Sequence, residues 1–214
     1  MFITLEGVEG AGKTSQLENI VAFLKSKGYV CVTTREPGGT PIGQKIRGIL
    51  LAPESRDLTP EAELMLYVAD RVQHIKALIE PSLDAGHAVV CDRFFDATLV
   101  YQGVARGLDP ALITTLHRLV CADLQPDLTL LFDLDPAAGL ARAWRQLNNG
   151  TRNLGESRFE GEKAAFHHKV RNGYLALARQ NPARYRIIDA SHPMDRVSKS
   201  VEKTLTLFLN PDAS

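Results

Sequence analysis

The sequence predicts an α/β fold, a five-stranded parallel sheet flanked by helices with a lid segment, and three observations carry that reading. Short β-rich runs alternate with amphipathic helical stretches along the whole chain, the pattern of parallel strands joined by crossover helices. One run, Ala88-Val89-Val90-Cys91, is apolar throughout, as a central strand buried on both faces must be. The first run, Phe2-Ile3-Thr4-Leu5, leads straight into Gly7-Val8-Glu9-Gly10-Ala11-Gly12-Lys13-Thr14, which reads G-x-x-x-x-G-K-[ST].

That motif is a phosphate-binding loop. Glycine at 7, 10 and 12 lets the backbone turn tightly and aim successive N–H groups at a polyphosphate, which the positive end of the next helix also favours. Lys13 is placed to reach the β- and γ-phosphates, and the Thr14 hydroxyl to ligate a magnesium ion between them. The helix after the loop carries Leu17, Ile20, Val21 and Leu24 on one face and stops at Gly28. The chain therefore predicts a P-loop NTPase whose donor site is the run from Gly7 to Ser15, with Val8, Glu9 and Ala11 inside it.

Tyr29 to Thr34 predicts the second strand, and Arg35-Glu36-Pro37-Gly38-Gly39-Thr40-Pro41 breaks it with two prolines and two glycines. Such a loop sits at the carboxyl end of a strand, where open α/β sheets bind their ligands. A helix follows from about Ile42 to Leu51 and carries Arg47. Thr59-Pro60-Glu61 starts a long helix expected to run to about Glu80, with Leu64, Val68, Val72, Ile75 and Ile79 as its core stripe and with Tyr67 and Arg71 four apart at its edge. The buried strand ends in Asp92-Arg93, and a carboxylate there, near a phosphate loop, is placed to handle magnesium. Phe94 to Val104 reads as helical. Asp109-Pro110 caps a helix to about Asp123, Leu128 to Phe132 is a strand, and Asp135-Pro136 opens the next helix. Asn148 to Ser157 is a polar loop flanked by Arg142, Arg145 and Arg158, and a loop of that length in a compact domain is either functional or disordered. A helix from about Glu160 to Arg179, a strand Tyr185 to Asp189 and a helix from about Met194 to Phe208 complete the order.

At 214 residues and 44% hydrophobic, the chain is expected to form a single P-loop domain over residues 1–214. Three scattered cysteines, with no C-x-x-C pair, argue against a zinc site or a disulfide framework. Twenty-five basic and 25 acidic side chains cancel, which leaves no electrostatic footprint for nucleic acid or an anionic membrane. No apolar run approaches membrane-spanning length, and the opening residues leave no room for a leader, so a cytoplasmic location is expected.

Together, in order, the phosphate loop, Thr34-Arg35-Glu36-Pro37-Gly38-Gly39-Thr40, Asp92-Arg93-Phe94, Tyr101-Gln102-Gly103 and Arg106-Gly107 resemble the thymidylate kinase family over essentially the whole chain. The resemblance implies transfer of the γ-phosphate of ATP to dTMP with Mg2+, in a homodimer. It puts Tyr67 against thymine, Arg71 at the base O4, Thr98 and Gln102 at the pyrimidine edge, and Tyr101 against the sugar C2′. It implies Glu9 at the 3′-hydroxyl, Pro37 in the acceptor site, and Arg35, Arg47 and Arg93 near the acceptor phosphate. Thr14 and Asp92 are expected to serve the metal, and Arg142 to contact adenine.

Gly10 resembles the bacterial branch, in which a mobile lid rather than the loop supplies the arginines. Here the lid spans about 145–159, and Ser157-Arg158 replaces the family's Asp-Arg pair. Arg158 best matches the family position for contact with the transferred phosphoryl group, and Arg145 and Arg152 are the other candidates. A different P-loop nucleotide or deoxynucleoside kinase is the alternative activity. A nucleotide-gated switch is disfavoured, because no Asn-Lys-x-Asp motif occurs and the acceptor-site arginines would have no purpose.

Overall fold

The computed structural model describes residues 1–122, 124–151 and 153–210. Five strands, β1 (Phe2–Glu6), β2 (Cys31–Arg35), β3 (Ala88–Asp92), β4 (Leu128–Asp133) and β5 (Tyr185–Asp189), form one parallel sheet in the order β2-β3-β1-β4-β5. Around it lie α1 (Lys13–Ser26), α2 (Pro41–Leu51), α3 (Pro60–His74), α4 (Glu80–Asp84), α5 (Phe95–Thr98), α6 (Pro110–Cys121), α7 (Pro136–Asn148), α8 (Ala164–Gln180) and α9 (Met194–Leu209).

The three inner strands have side chains buried on both faces, and their alternation divides the core in two. Ile3, Leu5, Val90 and Leu130 point into one layer, Phe2, Val89 and Cys91 into the other. Thr4 and Thr129 hydrogen-bond across the sheet at 2.9 Å, which gives the buried Thr4 hydroxyl a partner, and Thr129 also accepts from Arg184 at 2.8 Å. Parallel register sets Leu5 beside Asp92 and Asp92 beside Arg35, so the loops after β1, β2 and β3 leave the sheet at one level. Those loops carry the site. No helix among the described residues is long and apolar enough to cross a membrane, and the three cysteines are free thiols.

Two helices differ from the expectation. The long third helix widens into a π-turn at Ile75–Ile79 before continuing as α4. Pro81 has no N–H to give the Ala77 carbonyl, so the ladder is rearranged just ahead of it. The helix expected to begin near Glu160 begins at Ala164. Phe159 and Glu160 are tucked inward at 6% and 4% exposure, and Gly161 lies between them and the helix, so this stretch forms turns that pack on the core instead.

Candidate functional site

β1 delivers the phosphate loop to the first turn of α1, and the loop's backbone is locked by α7. A Cβ at Gly10 would collide with the Gly139 carbonyl, and one at Gly139 with the Glu9 carbonyl, so the two backbones meet where neither can carry a side chain. No basic residue at position 10 could serve the phosphates. Lys13 is buried and donates from Nζ to the Gly7 and Val8 carbonyls at 3.0 and 2.9 Å. Burial, and then the charge of Arg93, pull its ammonium down to about 8.

Thr14 Oγ1 donates to Asp92 Oδ2 at 2.9 Å, while Asp92 Oδ1 is buried with no hydrogen-bond partner. A hydroxyl beside a carboxylate oxygen left without a donor is a hard-oxygen set suited to a magnesium ion completed by phosphate and water. The described residues contain no cluster of three or more His, Cys, Asp or Glu that could hold a metal unaided.

A cleft of about 900 Å³ opens above the carboxyl ends of β1, β2 and β3. It is lined by Glu9, Gly10, Ala11, Gly12, Lys13, Thr14 and Ser15 of the loop region. Arg35, Pro37, Arg47, Tyr67, Arg71, Asp92, Arg93, Thr98, Tyr101 and Gln102 of the expected set also line it, brought together from several distant elements. Gly7 and Val8 instead supply the carbonyls that hold Lys13.

Arg71 is 2% exposed, with Nε on Glu36 Oε2 at 2.9 Å and Nη2 on Thr98 Oγ1 at 2.7 Å. His74 Nδ1 stands 3.0 Å from the other Glu36 oxygen, and its Nε2 meets Thr34. The guanidinium is thereby fixed in plane with Nη1, which makes neither bond, as its remaining edge. Arg93 has φ of 68°, a backbone state costing roughly 1–3 kcal/mol in a residue with a Cβ. That turn aims its side chain at Glu9 Oε1 (3.2 Å) and the Tyr174 hydroxyl (3.1 Å).

Glu9 also accepts the Tyr101 hydroxyl at 2.5 Å, and His167 Nδ1 lies 3.3 Å from its second oxygen without the alignment of a hydrogen bond. Burial pushes the Glu9 carboxyl up, but His167, Arg93 and Tyr101 outweigh it and hold the group well below the usual carboxylate range. Behind it, Glu6 is fully buried against Tyr174 and the Phe94 N–H, and burial together with the nearby Asp96 raises it to about 7.

Two of the three arginines expected at the transferred phosphoryl group, Arg158 and Arg145, do not line the cleft. Arg158 is 7% exposed and does not line the cleft. Its Nη1 lies 2.6 Å from Glu63 Oε2 and donates to the Leu50 carbonyl at 3.1 Å. Its guanidinium also lies over the Phe159 ring, 5.4 Å from the centroid, so these contacts hold it beside the cleft wall. Arg145 is exposed on α7 and lines no part of the cleft, and Arg152 lies outside the described residues. Arg142 donates to the Ala190 carbonyl in a smaller depression of about 270 Å³, which shares Gly10, Gly12 and Ser15 with the phosphate loop and adds His192 and Val197.

Sequence reasoning found Tyr67 and Arg71 on α3 but passed over Glu63, Asp70 and His74 beside them, and Glu156 as well. Glu63, Tyr67, Asp70, Arg71 and His74 recur at i, i+4, i+7, i+8 and i+11, a helical period within a stretch read for its apolar stripe. Glu156 takes Arg47 at 2.7 Å from Nη2 and 3.0 Å from Nε, and the third Arg47 bond goes to the Pro37 carbonyl.

With this geometry in place, comparisons with known proteins agree with one another. Residues 5–201 match the family model described as Thymidylate kinase. The chain is 57% identical over 198 residues to a thymidylate kinase of Desulfosudis oleivorans, covering 92% of each chain. It is 54% identical over 212 residues to one of Desulforapulum autotrophicum, covering 99% of this chain and 93% of the relative. A crystal structure of thymidylate kinase from Ehrlichia chaffeensis superposes with a TM-score of 0.75 at 34% identity, over 96% of this chain and 98% of that one.

Proposed function

The chain belongs to the thymidylate kinase family and is an ATP-dependent dTMP kinase giving dTDP and ADP, and we propose from this how its residues divide the work. The single observation that carries the division is one cleft holding the phosphate loop at one end and the Tyr67, Arg71, Thr98 and Gln102 group at the other. Loop N–H groups and Lys13 hold the donor phosphates. Arg142 lies in the adjoining depression, where an adenine would stack over it. Thr14 and Asp92 would hold magnesium, which would supply charge neutralisation to the donor phosphates.

On the acceptor side Arg35, Arg47 and Arg93 take the dTMP phosphate, Tyr67 its base and Arg71 Nη1 the O4 carbonyl. Glu9 and Tyr101 meet the sugar. Transfer needs two polyanions in line and charge spread over the equatorial oxygens, so positioning and guanidinium groups do most of the catalysis. Arg93 is the guanidinium that the cleft already holds beside Lys13. The segment 145–159 is the lid, and Arg145 and Arg152 are its candidates for the transferred phosphoryl group. A coupled ADP-release assay across the nucleoside monophosphates tests the assignment: dTMP is expected to dominate, and a flat response to dTMP beside a strong one to another acceptor would overturn it.

Two consequences are measurable. Tyr101→Ala removes a ring that packs edge-on against Phe159, with centroids 5.4 Å apart. Room for a 2′-hydroxyl should narrow the preference of dUMP over UMP, and an unchanged ratio would place sugar discrimination elsewhere. Glu156 competes with the acceptor phosphate for Arg47, in an ion pair only 16% and 27% exposed. Glu156→Gln should lower the KM for dTMP by roughly threefold with kcat unchanged; a raised KM would make Glu156 a support for Arg47 instead.

A homodimer is proposed on the apolar side chains left exposed on two helices in mutual contact, Met65 on α3 and Leu112, Leu119 and Val120 on α6. A cytoplasmic location fits a chain whose substrates are ATP and dTMP.

A further inference from the structure

We propose that Glu63, which does not line the cleft, determines base specificity by fixing the orientation of the Gln102 amide. The inference rests on the reading of the cleft as a dTMP site. Glu63 is fully buried on the first turn of α3. Its carboxylate gathers three donors: Gln102 Nε2 at 2.7 Å, Arg158 Nη1 at 2.6 Å and the Arg106 guanidinium at 3.4 Å. Gln102 stands in the π-turn Leu99–Ala105, 1% exposed, and does line the cleft.

A carboxylate in a salt bridge can only accept, whereas an amide can present either its oxygen or its nitrogen. Glu63 therefore selects one of the two amide orientations. With Nε2 committed to the carboxylate, the carbonyl Oε1 is the polar end left for the cleft. An acceptor in that place suits the imide N3–H of thymine or uracil and opposes cytosine, whose N3 has a lone pair and no proton. Arg71 Nη1, a donor, suits the O4 carbonyl of the same bases and opposes the cytosine amino group. Two groups then read the pyrimidine edge in the same sense. The three-donor clasp keeps Gln102 from turning, which matters because a reversed amide would offer a donor to cytosine N3 at no steric cost.

The test is kcat/KM for dTMP, dUMP and dCMP in the full-length enzyme and in Glu63→Asp, Glu63→Gln, Gln102→Leu and the double variant Glu63→Asp/Gln102→Leu. Glu63→Asp keeps the charge that Arg158 and Arg106 need but withdraws the acceptor from Gln102 by one methylene. It stays informative even if Glu63→Gln, which strands the buried Arg158 guanidinium, does not fold. The dTMP to dCMP ratio is expected to fall on the order of tenfold in Glu63→Asp, with dUMP following dTMP. No further fall is expected when Glu63→Asp is added to Gln102→Leu, because Glu63 acts through that amide. An equal loss for all three acceptors with the ratio kept, or additive effects in the double variant, would overturn the proposal and leave Glu63 a structural clasp. A parent enzyme that fails to prefer dTMP over dCMP would instead refute the underlying dTMP assignment.

Discussion

Lys13→Ala is expected to lower kcat on the order of 10³-fold while dTMP binding, measured by calorimetry, stays nearly unchanged. Lys13 stands at the donor end of the cleft, and its Nζ bonds to Gly7 and Val8 hold it where a polyphosphate meets the loop. No other side chain can replace it from within the loop, since Gly10 is closed to any Cβ by α7. A point charge at the bridging oxygens matters most as leaving-group charge develops, so the loss falls on turnover rather than on acceptor affinity.

The same residue makes stability depend on pH. Its folded pKa of about 8 lies below the ordinary 10.5, with burial the first cause. Between these values the unfolded chain binds the extra proton, so stability rises with pH through that window, and at pH 7 the buried ammonium costs stability in full. Lys13→Ala should accordingly unfold at pH 7 at no lower temperature than the parent, and any gain should shrink by pH 10. Turnover close to that of the parent would remove Lys13 from the donor site.

Arg158→Ala is expected to destabilise the protein more than any other single lid substitution, and the result decides between two roles. Removing Arg158 breaks the 2.6 Å pair with Glu63 and the bond to the Leu50 carbonyl, and leaves Glu63, at zero exposure, with Arg106 as its remaining cation. Stranding half of a buried ion pair costs about 3–5 kcal/mol. For a chain of this size that is a drop in melting temperature of roughly 10 °C. Loss of activity should track loss of folded protein and be recovered at low temperature. The role implied by resemblance, contact with the transferred phosphoryl group, predicts something else: an unchanged melting temperature and a kcat on the order of 100-fold lower with a modest change in KM. Calorimetry and steady-state kinetics on one preparation separate the two.

Features that depend on local order were legible in the chain alone. Strand ends, helix caps at Thr59, Asp109 and Asp135, and the glycine spacing of the phosphate loop are written in neighbouring residues, because turn chemistry and hydrophobic period act within a few positions. The same is true of residues carried by a contiguous motif: Lys13, Thr14, Arg35, Asp92, Arg93, Tyr101 and Gln102 all line the cleft or its loop.

Which partner each charged group meets was settled only by the packing of distant segments. Arg47 and Glu156 are 109 residues apart, and Glu63 reaches Gln102 and Arg158 across 39 and 95 positions. No period or spacing encodes such pairs, because they exist only where α2, α3 and the lid stem converge. Whether an arginine serves a phosphate or a buried carboxylate depends on burial and on the nearest oxygen. Arg158 is such a case: no neighbour in the chain announces its acid, and the fold alone brings it to 2.6 Å from the buried Glu63 carboxylate, where an unpaired charge would be costly.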